Sequence, residues 1–372
     1  MSTNSFVPAP IAQLPWHFIG LILALGSFGA VVLYSAAGNG GSFSPWAGSH
    51  IVRLCVFLGG AILLARLKES FWKEMAFPAY AIILLMLFGV EILGKISGGS
   101  QRWLDLGIIR LQPSELMKPM IVLALARFYD MLPSGEIRRW TAVLPAAAMI
   151  GLPAGLVLIQ PDLGTAMMIG LGGLVVMFLA GLPLRLFLIG GATVAAALPI
   201  VFSQLHDYQQ KRILIFMDPE SAPLKEGYHI TQSKIAIGSG GIFGKGFGNG
   251  SQSHLNYLPE SHTDFVFATM AEEWGLFGGL GVIIAYILLA RWGMNVAHRA
   301  TTRFGRLTAA GLTMTIFFYF MINLLMVMGL APVVGIPLPL ISHGGTAMMT
   351  VLFCAGILMS IERSSRRRTG IT

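Results

Sequence analysis

Charge is scarce in this chain. Asp, Glu, Lys and Arg together make up 11% of its 372 residues, where an average soluble domain carries about 25%. A soluble domain of this length cannot cover its surface with so few charges. Cysteine is scarcer still. Cys55 and Cys354 are the only two, and both lie inside apolar runs. They read as buried thiols, which excludes a disulfide framework and a thiolate metal site. No Lys or Arg precedes Arg53, so the first apolar run lacks the basic flank of a cleavable leader and reads as a retained helix. The apolar runs show no period-2 alternation, which argues against a membrane β-barrel. The formal net charge is +8, yet no basic stripe with interleaved aromatics accompanies it, so nucleic acid is not an expected partner.

What the chain has is apolar length. Hydrophobic residues are 55% of it and its mean hydropathy is +0.73. A bilayer core of about 30 Å takes roughly 20 apolar residues per helix. Segments that meet this need are His17–Ala36, Ile51–Leu67, Phe77–Leu93, Ser114–Phe128, Thr141–Ile159, Gly164–Ala180, Leu184–Ser203, Phe265–Ala290, Leu307–Leu330 and Gly345–Ile361. The expected fold is therefore all-α: a polytopic membrane protein of about ten transmembrane helices, forming one domain over 1–372. The connector Gln160–Asp162 is very short, which makes the fifth and sixth helices a tight antiparallel pair. No internal repeat is visible, which weakens an inverted-repeat transporter reading.

An even helix count puts both termini on one side. With that side cytoplasmic, the inward connectors carry most of the cations, among them Arg66, Lys68, Lys73, Arg138, Arg139 and Arg303, while the short outward ones carry Lys95, Arg102 and Arg110. That asymmetry obeys the positive-inside rule. One outward connector, 204–264 between helices 7 and 8, is far longer than the rest. Loops beyond about 12–15 residues are usually functional or disordered. This one is rich in Tyr, Ile and Phe, which favours an ordered loop on the membrane surface, with Ile230, Ile235, Ile237 and Ile242 towards the lipid boundary.

Ionisable groups inside spans are costly and are functional candidates by default. Glu115 and Lys118 lie three apart near the start of the fourth helix, on one face and close enough to pair. Their ordinary role is a structural lock; the functional alternative is a charged floor to a polar cavity. Asp162, just ahead of an apolar helix, reads first as an N-cap. Glu272-Glu273 sits two turns into the eighth helix, where one carboxylate can face the interior. The stretch Leu258-Pro259-Glu260-Ser261-His262-Thr263-Asp264-Phe265 holds two carboxylates and an imidazole at the mouth of a transmembrane helix. Asp264 can simply cap that helix. The cluster also offers a base, and carboxylates able to hold a divalent cation, where a lipid-borne polar substrate would lie. The glycine stretch Gly238–Gly246 is not a nucleotide loop: Ser239 stands where the first Walker A glycine belongs and Lys245 is followed by Gly246. It serves either close backbone packing or N–H contacts to phosphate. Arg53, Arg102, Lys211, Arg212 and Lys245 lie near the outer side. Solvation is the default for each; together they can neutralise a diphosphate.

These residues carry a resemblance. Ser100-Gln101-Arg102-Trp103-Leu104, Gln112-Pro113-Ser114-Glu115, Gln160-Pro161-Asp162-Leu163-Gly164-Thr165, His206-Asp207-Tyr208-Gln209, Asp218-Pro219-Glu220-Ser221, Gly227-Tyr228-His229-Ile230, Leu258 to Phe265, and Pro332 to Gly345 occur in the order found in the SEDS family (shape, elongation, division and sporulation proteins). The pairing of Gly-Tyr-His with Asp-Pro-Glu-Ser resembles its RodA, elongation, branch more than its FtsW, division, branch. His343 stands where many members have Tyr. The resemblance implies a peptidoglycan glycosyltransferase of the bacterial cytoplasmic (inner) membrane, polymerising lipid II on the periplasmic side beside a class B penicillin-binding protein. It implies Asp264 as the catalytic residue. Glu115, Lys118, Arg53, Arg102, Lys211, Arg212, Lys245, Glu260 and His262 are the candidate substrate-binding residues. A divalent cation, Mg²⁺ or Mn²⁺, is a candidate cofactor and a nucleotide is not. The rivals are a lipid II flippase, whose essential charges would be Glu115, Lys118 and Glu273, and a scaffold without chemistry.

Overall fold

The computed structural model describes residues 14–37, 45–93, 95–97, 100–105, 110–133, 135–204, 210, 226–254, 257 and 262–369. In chain order the elements are α1 (Trp16–Ala36), α2 (Pro45–Leu64), α3 (Glu69–Leu93), β1 (Lys95–Ser97), β2 (Ser100–Asp105), β3 (Arg110–Leu111), α4 (Pro113–Met131), α5 (Trp140–Ile159), α6 (Leu163–Ala180), α7 (Leu184–Gln204), α8 (Glu226–Gly240), α9 (Ser251–His254), α10 (Val266–Arg299), α11 (Arg303–Val327) and α12 (Gly345–Thr369). Every expected span has a long helix over it. Eight of them, α1, α2, α3, α5, α6, α10, α11 and α12, are long and apolar enough to cross a membrane. Large apolar side chains such as Val52, Leu63, Leu85 and Leu188 stand exposed on the outer faces, the surface lipid would cover. Cys55 is among the exposed residues of α2, correcting its reading as a buried thiol, while Cys354 is buried.

The central helix is α4. From Met117 to Ala126 every residue is buried, against α3, α5, α6, α11 and α12. A helix buried all round can carry charge only if the charge is paired, and α4 carries Glu115 and Lys118. Between α3 and α4 the helical fold adds a small antiparallel sheet in the order β1-β2-β3, with Ser97 paired to Ser100 and Leu104 to Leu111. The sequence reading did not anticipate it. Strands this short give no alternation to read, and the one local signal was Gly98-Gly99, a dipeptide that favours tight hairpins.

Within the long outward connector, α8 packs against α10 and α11. Its buried stripe is Gly227, Ile230, Ser233, Ala236 and Gly240, a helical spacing in which all but Ile230 are small and let the backbones approach. Ile230 therefore faces protein, not lipid, whereas Ile235 and Ile242 are exposed as expected. Where α8 ends, α10 is broken. Gly275 has φ 63° and ψ −159°, a region essentially open to glycine alone. The segment after α8 fills the break: Lys245 and Gly246 N–H groups donate to the Glu272 and Glu273 carbonyls at 3.0 Å, and Leu276 N–H donates to Gly241 at 2.9 Å. A Cβ on Gly240 or Gly244 would collide with the carbonyls of Ala271 or Glu273. Close backbone packing thus accounts for Gly240, Gly244 and Gly275.

The irregular segment from Pro332 to Gly344 is also internal. Ile336, Leu338, Leu340 and Ile341 are buried, and a Cβ on Gly29 of α1 would meet the Ile341 Cα at 2.6 Å. Non-helical backbone at membrane depth is tolerated only when protein satisfies its polar groups. Here Asn323 donates to the Ile336 carbonyl at 2.8 Å, Tyr286 donates to that of Pro339, and Ser342 donates to that of Leu338 at 2.8 Å.

Candidate active site at the mouth of helix 10

Asp264 lies in the turn 262–265 that leads into α10. The helix cap is the next residue, Phe265, whose carbonyl accepts from the N–H groups of Ala268 and Thr269 and whose side chain gives no cap bond. Asp264 is thus one position ahead of the place the capping reading assigns it. A carboxylate there still lies at the positive end of the helix dipole. Its main chain is fixed from below: the Asn323 amide, buried in α11, donates to the Asp264 carbonyl at 2.9 Å and to Ile336 at 2.8 Å. One side chain therefore ties the turn to the internal segment. Gly335, with φ 68°, lies beside the carboxylate: a Cβ there would stand in ordinary contact, 3.6 Å, with Asp264 Oδ2.

Three more segments close round this turn. The His262 ring stacks on Trp46 of α2, with centroids 4.0 Å apart and planes 2° from parallel. Its carbonyl accepts from the His343 N–H at 2.9 Å. Arg53 of α2 lies 3.3 Å from His343 Nε2. A guanidinium only donates, so Nε2 is the acceptor and the imidazole is neutral. Burial first, then the Arg53 cation and His262, hold the His343 pKa below its ordinary value. From α8, the His229 ring lies against Phe265, with centroids 5.9 Å apart. The site is therefore assembled from α2, α8, the turn before α10, α11 and the segment before α12.

Of the candidate residues, the structure brings Arg53 and His262 to the Asp264 turn. Lys211, Arg212 and Glu260 lie outside the described residues. Arg102 is engaged elsewhere: it donates to the carbonyls of Gln160 (3.2 Å) and Pro161 and lies 3.6 Å from Asp162 Oδ2. Asp162 caps α6, accepting from Thr165 N–H at 3.1 Å. Arg102 thus braces the α5–α6 connector. Lys245 pairs with Glu272 at 2.6 Å and donates to Ser251 at 2.8 Å. That carboxylate also accepts from the Gln252 N–H near the start of α9. Glu273 accepts from Ser35 at 2.5 Å.

Glu115 and Lys118 form a closed network at the bundle centre. Lys118 Nζ is 2.6 Å from Glu115 Oε1 and donates to the Tyr319 hydroxyl at 2.8 Å. Tyr319 donates to the other Glu115 oxygen, as does Thr350 at 3.4 Å. The ammonium also lies 4.4 Å from the centre of the Tyr319 ring. Residues of α4, α11 and α12 are thereby joined, the arrangement expected of a structural lock. Reading the sequence alone missed Asn323, Trp46, Tyr319 and Thr350. Asn323 had a signal, a lone amide inside the apolar run Met321–Val327. The others had none, because their partners lie far away in sequence.

The profile of the FtsW, RodA and SpoVE family of cell cycle proteins matches residues 15–367. The chain belongs to that family. It is the SEDS family whose ordered motifs run through the sequence, and the turn at Asp264 is one of those motifs. Peptidoglycan glycosyltransferase MrdB of Escherichia coli (strain K12) is 45% identical over 344 residues, 92% of this SEDS chain and 91% of that one. Among solved structures, Thermus thermophilus rod shape determining protein RodA is 30% identical and superposes with a TM-score of 0.68 over 94% of this chain and 97% of that one. A chain from a structure of a peptidoglycan synthase complex, reported for its coordination of polymerization and crosslinking, is 32% identical with a TM-score of 0.81 over 95% and 98%.

Proposed function

We propose that this chain is a RodA-type peptidoglycan glycosyltransferase that polymerises lipid II into glycan strands during cell elongation. The carrying observation is Asp264 at the mouth of α10, its main chain fixed by Asn323, in a chain 45% identical to a peptidoglycan glycosyltransferase. Lipid II joins its sugar to diphosphate through an α bond and the glycan is β-1,4, so the transfer inverts and needs one displacement. The acceptor 4-hydroxyl oxygen attacks the anomeric carbon. Asp264 takes the hydroxyl proton, the glycosyl–oxygen bond to phosphate breaks, and undecaprenyl diphosphate leaves with the electron pair. A positioned base contributes typically about 10²–10⁴-fold. The N-terminus of α10 places positive potential beside the Asp264 carboxylate. Arg53, oriented by His343, is assigned to the leaving diphosphate together with Lys211 and Arg212. His262, stacked on Trp46, shapes the wall of the site.

A Mg²⁺ or Mn²⁺ ion held by Asp264 or Glu260 is the alternative that would turn Asp264 from base to ligand. Bound there, such an ion would supply positive charge to stabilise the leaving diphosphate. The protein sits in the bacterial inner membrane, with both termini cytoplasmic and Asp264 on the periplasmic side, as the charge asymmetry of the connectors supports. Its partner in this reading is a class B penicillin-binding protein, which cross-links the strands. A transport reading requires charges facing a passage; Glu115, Lys118 and Glu273 instead have partners within the bundle.

The test is to purify the chain with its transpeptidase partner and supply lipid II. Glycan polymer is the expected product. Lipid II moved across vesicles without polymer would establish the flippase instead.

A further inference from the structure

On the face of the bundle opposite Asp264 lies a cleft of about 660 Å³, a size suited to a small ligand. Helix direction fixes the side: α10 starts at the Asp264 turn and ends at Arg299, and α11 starts back from Arg303. The cleft is lined by Arg138 from the α4–α5 connector, Arg303 and Arg306 from the first turn of α11, and Ile137, Leu179 and Leu307. Ile137 and Leu307 are buried beneath the arginines, while Leu179 stands exposed on the outer face of α6 and gives the cleft an apolar edge.

Among the described residues, these three arginines have no carboxylate partner. Arg138 donates only to the Gly181 carbonyl, at 3.4 Å, and Arg303 to that of Leu132, at 2.8 Å. The acids of the same region serve other groups. Asp130 is held by Lys73 (2.7 Å), Arg127 (3.3 Å) and the Phe304 N–H (3.2 Å), and Glu136 by Arg139 (3.4 Å). Loop cations placed only to set topology can stand anywhere on this face. Here three planar donors converge on one concavity at the first turn of α11, where the helix dipole adds further positive potential.

We propose that this cleft binds the phosphate headgroup of an anionic phospholipid from the leaflet opposite the Asp264 site. The arginines hold the phosphate by charge-assisted bonds, and the acyl chains run out past the exposed Leu179 into the surrounding lipid. Basic pockets at the ends of transmembrane helices take such headgroups, at about 1 kcal/mol per cation near the surface.

The full-length protein in nanodiscs of phosphatidylcholine with a rising fraction of phosphatidylglycerol is released into a native mass spectrometer. The wild type should retain a phosphatidylglycerol that the Arg138→Gln/Arg306→Gln variant retains roughly thirtyfold less strongly, two cations' worth of affinity. The Arg138→Lys/Arg306→Lys variant keeps the charge and should keep most of the binding. Excess inorganic phosphate should not displace the lipid, because it has no chains to lie against the apolar edge at Leu179. As a second reading that needs no variant, phosphatidylglycerol should raise the wild-type unfolding temperature above its value in phosphatidylcholine. Equal retention by the wild type and the glutamine variant overturns the proposal. So does displacement by phosphate, which would make the cleft a free-anion site, or an unfolding temperature indifferent to phosphatidylglycerol.

Discussion

Lys118 is 1% exposed and Glu115 6%, and their partners are one another, Tyr319 and Thr350. Lys118→Met fills nearly the same volume and removes the ammonium, leaving the Glu115 carboxylate buried with two hydroxyls. Breaking a buried pair from one side costs about 3–5 kcal/mol. Removing both charges together, Glu115→Gln with Lys118→Met, leaves no uncompensated charge and should cost under about 2 kcal/mol, since the pair itself is weak evidence of net stability. Since either single change costs about 3–5 kcal/mol, the coupling between the two sites should therefore reach about 4 kcal/mol or more. Tyr319→Phe deletes one hydroxyl bonded to two charged groups and should cost about 1.5–3 kcal/mol. The assay is reversible denaturant unfolding in mixed micelles, with lipid II polymerisation measured on the same preparations. A structural lock predicts that the double variant is nearly as stable as wild type and still polymerises. Additive costs would refute the lock. A stable double variant without activity would restore the reading of these residues as a floor beneath the substrate.

Three other outcomes follow from the site and its supports. Asn323→Leu leaves the carbonyls of Asp264 and Ile336 without their shared donor and should slow polymerisation by about tenfold or more while the protein stays folded, read from initial rates at saturating lipid II. Gly275→Ala forces a side chain into a glycine-only conformation, worth about 1–3 kcal/mol, and 2.6 Å from the Ile242 carbonyl, so the α8–α10 junction should loosen and expose its amides to hydrogen exchange. His343 has its pKa held down by burial, Arg53 and His262, so as pH falls below about 6.5 the unfolded chain takes up the proton first. The stability it contributes is whole above that value and drains as pH falls towards the folded pKa; His343→Gln should flatten this acid slope in the unfolding midpoint.

Much of the helical frame was legible because the apolar runs are long and the breaks between them are polar. The ends were less so: α10 runs on to Arg299 and α12 to Thr369, since a helix need not stop where the bilayer does. Asp162 as an N-cap was readable from local chemistry, because a cap and its N–H lie three residues apart. What could not be read were contacts made across the chain. Arg102 looks like an outer-face cation in sequence and becomes a brace only when the α5–α6 connector folds beside β2. The glycines after α8 left two roles open until α10 supplied the break at Gly275 into which they fit. Trp46, Asn323 and His343 come to the Asp264 turn from three separate elements, and no local pattern links them to it.

In the proposed mechanism Asp264 is the base. Asp264→Asn keeps the size and main-chain contacts of the turn but cannot accept a proton. Purified with its partner, the variant should match wild type in unfolding temperature and in lipid II binding, and its polymerisation rate should fall by about 10²-fold or more at every Mg²⁺ or Mn²⁺ concentration tried. A rate within a few fold of wild type would contradict the account, and a rate restored by added metal would move Asp264 from base to ligand.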